Sequence, residues 1–264
     1  IADRGNDMHA ITAYMLELLA SCPGDLAGMC ALMIQESGGR INRVLTQECM
    51  RLLAASRYGL RESDLSRIIR AENLDWNPLD FARLKKYLRP YLTERIDGRI
   101  DFTHRSLREG ILQQPDINLS ATQAKILTHL KALPLNDTVR HNEIIHYLYL
   151  QDDKAYLADL LWKATMMGEN IAVEAKELRL LCLTQSTDWL KSVILEKRTI
   201  DKGAYLFGFF GIEFCKVFHD TLSENQSLLD VLQTVYTASA DTEGFQVGNA
   251  RAILARQIAE LHFQ

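Results

Sequence analysis

Apolar residues recur at helical spacing along most of the chain. Met8 to Leu19 keeps one apolar face and is stopped at Ser21-Cys22-Pro23-Gly24. Asp25 to Gln35 predicts a second helix, halted at Gly38-Gly39. Val44 to Ser56 predicts a third, with Val44, Leu45, Cys49, Leu52 and Leu53 on one face. Tyr58-Gly59-Leu60 reads as a tight turn with Gly59 as helix C-cap. Ser63 reads as the cap of a fourth helix reaching Arg70, and Pro78, at a first-turn position, opens a fifth that runs to Leu88. The period then changes. Tyr91 to Arg95 and Arg99 to Phe102 alternate around Ile96-Asp97-Gly98, and Asp-Gly between alternating runs is a strong hairpin signal. A short helix over Arg105 to Leu112 follows. Three helices, a β-hairpin and a closing helix predict a winged helix-turn-helix, with the hairpin as the only sheet.

From Ser120 onward every segment reads as helix, over 120–133, 138–150, 153–166, 170–183, 186–198, 203–219, 223–239 and 246–262. A spacing of roughly 33 residues per antiparallel pair is the period of helical-hairpin repeats such as tetratricopeptide repeats. The characteristic W-x-x-L-G-x-x-Y letters do not occur, so the expectation is a TPR-like array without a named repeat. The expected fold class is therefore mainly α, a winged helix followed by a helical-repeat-like domain.

Charge changes along the chain. Residues 43–113 carry 14 basic and 10 acidic side chains, whereas residues 114–264 carry 14 and 19. The shift coincides with Gln113-Gln114-Pro115-Asp116, and a boundary there gives three segments. Residues 1–42 are N-terminal helices leading from an upstream domain, 43–114 the winged helix, and 115–264 the helical array. The 264 residues have a net charge of −4, 47% hydrophobic residues and only 5 prolines, a globular composition without the basic excess of a dedicated nucleic-acid binder. The longest apolar run, Ala204 to Ile212, is too short to cross a bilayer. The polar start, IADRGND, has no h-region and no initiating Met, which reads as a piece of a longer cytoplasmic protein. Five scattered cysteines with no C-x-x-C read as buried free thiols.

Catalytic patterns do not appear. The chain has no Gly-Lys dipeptide and hence no P-loop. Gly203, Gly208 and Gly211 read as sites of close helix packing. His141 and His146 lie five residues apart, about 140° around a helix, and cannot share a metal. No G-x-S-x-G occurs. The expectation is a non-enzyme that binds no metal.

One stretch has a family likeness. Leu52-Leu53-Ala54-Ala55-Ser56-Arg57-Tyr58-Gly59-Leu60-Arg61-Glu62-Ser63-Asp64-Leu65 resembles the "LLAASRYGLSEEDL" entry into the helix-turn-helix that follows the nucleotide-binding core of STAND-class signal-transduction ATPases, including NACHT-type proteins. Trp76 through Leu92 resembles their third helix and first wing strand. Gly98 through Glu109 resembles their closing G-x-x-x-F-x-H-x-S-x-R-E element. The resemblance implies a winged helix that packs as an autoinhibitory lid on an upstream nucleotide-binding domain of the same chain. It also implies ATP or ADP as ligand of the full-length protein, though of no site in this segment, and an unidentified protein partner on the helical array. Within the family a histidine just after the wing reaches the ADP phosphate; the matching residue is His104. An imidazole at a helix N-terminus offers an N–H and positive potential to an anion, and the bland alternative is a helix cap. Arg105 and Arg108 can meet phosphate or pair with acids.

A second function competes. Arg83, Lys85, Lys86 and Arg89 lie on or beside the candidate recognition helix, with Arg95 and Arg99 on the wing, the basic face of a DNA-binding regulator. Phe81, Leu84, Tyr87 and Leu88 crowd the same short helix, and the acidic remainder repels DNA. Nucleic acid and membrane are therefore not expected partners. The candidate anion contacts are Arg83, Lys85, Lys86 and Arg105.

Overall fold

The structure, a computed structural model, describes residues 23–184, 186–196, 200–217 and 226–263, with isolated positions between 9 and 20. The helix expected over Met8–Leu19 falls mostly outside the described residues, as do Cys22 and the Cys215 side chain. The described chain is mainly helical, thirteen helices with one small antiparallel sheet. It forms two compact units, Ile1–His129 and Leu130–Gln264. No described helix is long and apolar enough to cross a membrane.

The first unit runs α1 (Leu26–Arg40), α2 (Arg43–Ala55), β1 (Leu60–Arg61), α3 (Glu62–Ala71), α4 (Pro78–Tyr87), β2 (Leu92–Glu94), β3 (Arg99–Phe102), α5 (Arg105–Leu112) and α6 (Leu119–Ala132). Asx side chains start several of these helices. Asp25 accepts from the Gly28 N–H at 2.7 Å, Asn42 from Leu45 at 3.1 Å, Asn77 from Leu79 at 2.9 Å and Asn118 from Ala121 at 3.0 Å. The amphipathic faces of α2, α3 and α4 meet over Cys49, Leu53, Leu65, Ile69, Phe81 and Leu84, all buried.

Three local readings change. Helix α1 does not stop at Gly38-Gly39 but continues to Arg40. A helical glycine costs about 1 kcal/mol, but Gly38 is buried against α2, where a Cβ would stand 3.1 Å from the Arg43 Cα. Packing overrides propensity there. Gly59 does not cap α2, which ends at Ser56, whose N–H bonds the Leu52 carbonyl at 3.0 Å. Gly59 instead sits at φ +84, and a Cβ on it would fall 2.3 Å from the Ile100 carbonyl oxygen. That close approach brings Leu60-Arg61 alongside β3 as a strand the hydrophobic pattern does not predict. Ser63 lies inside α3; the N-cap residue is Arg61, whose N–H donates to Asp64 at 3.1 Å.

The sheet therefore has three strands in the order β1-β3-β2. Leu60 and Arg61 face Ile100 and Arg99, while Leu92, Thr93 and Glu94 face Phe102, Asp101 and Ile100. The hairpin turn closes where expected, with the Gly98 N–H on the Arg95 carbonyl at 2.9 Å.

The second unit holds α7 (Thr138–Leu150), α8 (Lys154–Met166), α9 (Ala172–Leu183), α10 (Thr187–Leu195), α11 (Ile200–Val217), α12 (Gln226–Ala238) and α13 (Phe245–Phe263). Contacts run mainly between every second helix: α7 with α9, α9 with α11, α11 with α13, and in parallel α10 with α12. The arrangement is two layers fed alternately by the chain. Leu157, Leu160 and Leu161 are buried on α8. At Gly208 α11 and α13 pack closely, since a Cβ there would lie 3.0 Å from the Ala250 carbonyl oxygen.

Contacts place the division at His129/Leu130, beyond the charge break at 113–116. The intervening helix, α6, is fastened to the first unit by Lys125, 2.9 Å from Glu72, and by His129, 3.0 Å from Asp64. Helix α1 belongs to that unit as well, packing on α2 and α5.

Candidate functional site

The junction of β3 and α5 is built on a buried carboxylate. Asp101 accepts from Arg95 at 3.0 Å, from Arg108, and from the Phe102 N–H at 2.8 Å. Arg108 also donates to the Ala54 carbonyl at 3.0 Å, satisfying an orphan acceptor at the end of α2. Its guanidinium is thus committed to structure. Thr103 fixes the strand end, its N–H bonding the Tyr91 carbonyl at 2.9 Å.

His104 comes next, at the N-cap of α5, with φ −130 and ψ 135. Its side chain makes no capping hydrogen bond and is exposed. The ring is therefore not the helix cap of the bland reading. The first N–H groups of α5 receive no side-chain oxygen from the cap position, so the positive end of the helix faces the same solvent as the imidazole. Arg105 is also exposed, its Nε 2.7 Å from Glu109 one turn on, a surface pairing.

The basic residues of α4 form a second, separate group. Arg83 is exposed, 3.6 Å from Asp80. Lys85 lies 3.5 Å from each of Glu62 and Glu94. Lys86 is exposed, as is Arg89 just past the helix. Among the described residues no hydrogen bond or ion pair joins this group to His104 or Arg105. A groove of about 510 Å³ runs between the end of α4 and β2, lined by Lys85, Lys86, Arg89, Leu92, Thr93, Glu94 and Ile100.

Sequence reasoning missed a third constellation. Asp64, fully buried, accepts from Arg61 Nε at 2.8 Å and Nη2 at 3.0 Å, and from His129 Nε2 at 3.0 Å. Burial pushes its carboxyl pKa up, but the His129 and Arg61 hydrogen bonds and charges outweigh that and hold it at about 2. Asp64 carries a local signal, an acid at the third position of a helix. His129 carries none, since 65 residues separate the partners.

His141 contacts no metal partner set; its Nδ1 meets the buried Glu174. Among the described residues no group of three His, Cys, Asp or Glu side chains is arranged to hold a metal ion. Cys30, Cys49 and Cys182 are buried free thiols. Compared with protein-family models, curated proteins and solved structures, the chain matches none.

Proposed function

We propose that this chain is a non-catalytic regulatory and protein-interaction segment of a STAND/NACHT-type signal-transduction ATPase. In this reading α2, α3, α4 and the three strands are a winged helix that lies as an autoinhibitory lid on an upstream nucleotide-binding domain. The order α2-β1-α3-α4-β2-β3, with β3 between its partners, supports that assignment. The second unit is a TPR-like array that binds a partner or sensor, and its alternating two-layer packing is what a helical-hairpin repeat produces.

One observation carries the nucleotide role: His104 is exposed at the start of α5 and uncommitted by a capping bond, while its neighbours Asp101, Arg105 and Arg108 are all engaged in pairs. The imidazole and the helix N-terminus together suit a phosphate oxygen, and ADP stabilises the closed state by the contacts it makes only there. One charge-assisted hydrogen bond is worth about 1.5–3 kcal/mol, or about a ten- to hundredfold shift in the closed-to-open ratio. His104→Ala in the full-length protein should speed ADP release and raise the open-to-closed ratio by that factor. Equal off-rates in wild type and variant would remove His104 from the nucleotide contact. The DNA-binding alternative is weaker, because Asp80, Glu62 and Glu94 already engage Arg83 and Lys85 on α4.

A further inference from the structure

We infer that the open edge of β2 is a docking site for an extended acidic peptide, which adds to the sheet as a fourth strand. The sheet order leaves β2 at the edge. Register shows which of its backbone groups are free. The Thr103 N–H bonds the Tyr91 carbonyl at 2.9 Å and the Arg95 N–H bonds the Arg99 carbonyl at 2.8 Å, so residues 91, 93 and 95 turn their polar groups toward β3. Leu92 and Glu94 must then turn theirs outward. The Leu92 N–H is taken by the Leu88 carbonyl at 3.0 Å. The Glu94 N–H and the carbonyls of Leu92 and Glu94 remain directed away from the sheet, the template that strand addition uses.

The groove borders β2 on the face that carries Leu92 and Glu94. Its lining reaches Ile100 on β3, the cross-strand partner of Glu94 and therefore on the same face. Its opposite wall is α4 and the turn after it. Half-buried Leu92 supplies apolar floor for a side chain of an added strand, and Lys86 and Arg89 stand exposed along the wall. Against these cations the groove holds one carboxylate, Glu94, which Lys85 already meets at 3.5 Å. The surplus is positive, so the complementary strand is acidic. A nucleic-acid backbone fits less well: it needs neither strand hydrogen bonds nor an apolar floor, and Glu94 opposes it. This surface is independent of the His104 junction.

The test uses the whole chain and a blocked hexapeptide alternating glutamate with valine, with a lysine-valine peptide and a short DNA duplex as comparisons. The acidic peptide should bind and shift the amide resonances of residues 92–94, and the lysine peptide should not bind. The double variant Lys86→Glu with Arg89→Glu should weaken binding about tenfold or more. Glu94→Ala should bind as well as wild type or better, whereas Glu94→Pro, which takes away the outward N–H and none of those bonded to β3, should lose about tenfold against Glu94→Ala. If Glu94→Pro does not fold, N-methylating the peptide on alternate amides probes the same hydrogen bonds on wild-type protein, and should abolish binding in one of the two phases. His104→Ala should leave the peptide affinity unchanged. Equal affinity of methylated and unmethylated peptides, tighter binding of the duplex, or no binding of the acidic peptide would each overturn the inference.

Discussion

Replacing Asp64 by asparagine removes a charge while leaving the size of the side chain and one oxygen acceptor in place. In the folded protein that carboxyl titrates at about 2, against a usual 3.8. The ionised form therefore stabilises the fold by about 2 kcal/mol at neutral pH, since each unit is worth about 1.4 kcal/mol. The sign follows from proton binding. A carboxylate with a depressed folded pKa contributes its full stability above pH 4, where both states are ionised, and loses it as pH falls through 2, where both are protonated. Near pH 3 about half remains. The gap between wild type and Asp64→Asn should thus be about 2 kcal/mol at pH 7 and shrink to about 1 kcal/mol by pH 3. Carboxylates distant from Asp64 contribute equally to both proteins and cancel.

Trp76 is a suitable reporter, because its ring lies 4.8 Å from Phe81 in the same unit as Asp64. Urea titrations followed by Trp76 fluorescence, with Trp162 and Trp189 changed to Phe in both backgrounds, give the gap at each pH. A gap that stays constant from pH 7 to pH 3 would refute the electrostatic account and leave only an uncharged hydrogen bond. No gap at all would mean that burying the carboxylate costs as much as Arg61 and His129 return. Asp64→Ala is the harsher change. It leaves the nearly buried His129 facing a void and Arg61 without its acceptor, and should cost about 3–5 kcal/mol.

Gly59→Ala should destabilise the first unit by about 2–4 kcal/mol, because a Cβ at φ +84 meets the Ile100 carbonyl; a loss under 0.5 kcal/mol in the same urea assay would mean that β1 does not need that approach. Leu160→Ala should cost about 2–5 kcal/mol in the second unit, checked by the unfolding of Trp162 fluorescence, and a negligible loss would show the α8 face to be open to solvent. Burial pushes the Cys182 thiol up to about 12, and burial followed by the Glu48 and Glu62 charges pushes Cys49 higher still. Neither should react with iodoacetamide at pH 8 until denaturant is added, and fast native labelling would expose an opening motion that reaches the core.

How much of this could be read along the chain depends on the range of the forces involved. Helix starts at Asn77-Pro78 and Asp137, and the turn at Asp97-Gly98, are decided within four residues, and they stand where the pattern puts them. Helix α1 runs past two glycines because α2 packs on Gly38, and Leu60-Arg61 is a strand only because Ile100 and Arg99 lie opposite. Neither cause is present in the local sequence. The same division holds for the polar groups. His104 is singled out by the family resemblance, while its position between a strand and a helix is set by its immediate neighbours. Arg108, Arg140 and Arg251 look alike as surface cations, yet each reaches the carbonyls at another helix's end, Ala54 for Arg108, Leu133 for Arg140 and Tyr236 for Arg251. A charged side chain acquires its role from what folding brings to it, so a basic residue in this chain identifies a binding surface only after its structural partners have been subtracted. On α4 and the turn beyond it, that subtraction leaves Lys86 and Arg89, the two cations on which the proposed peptide site depends.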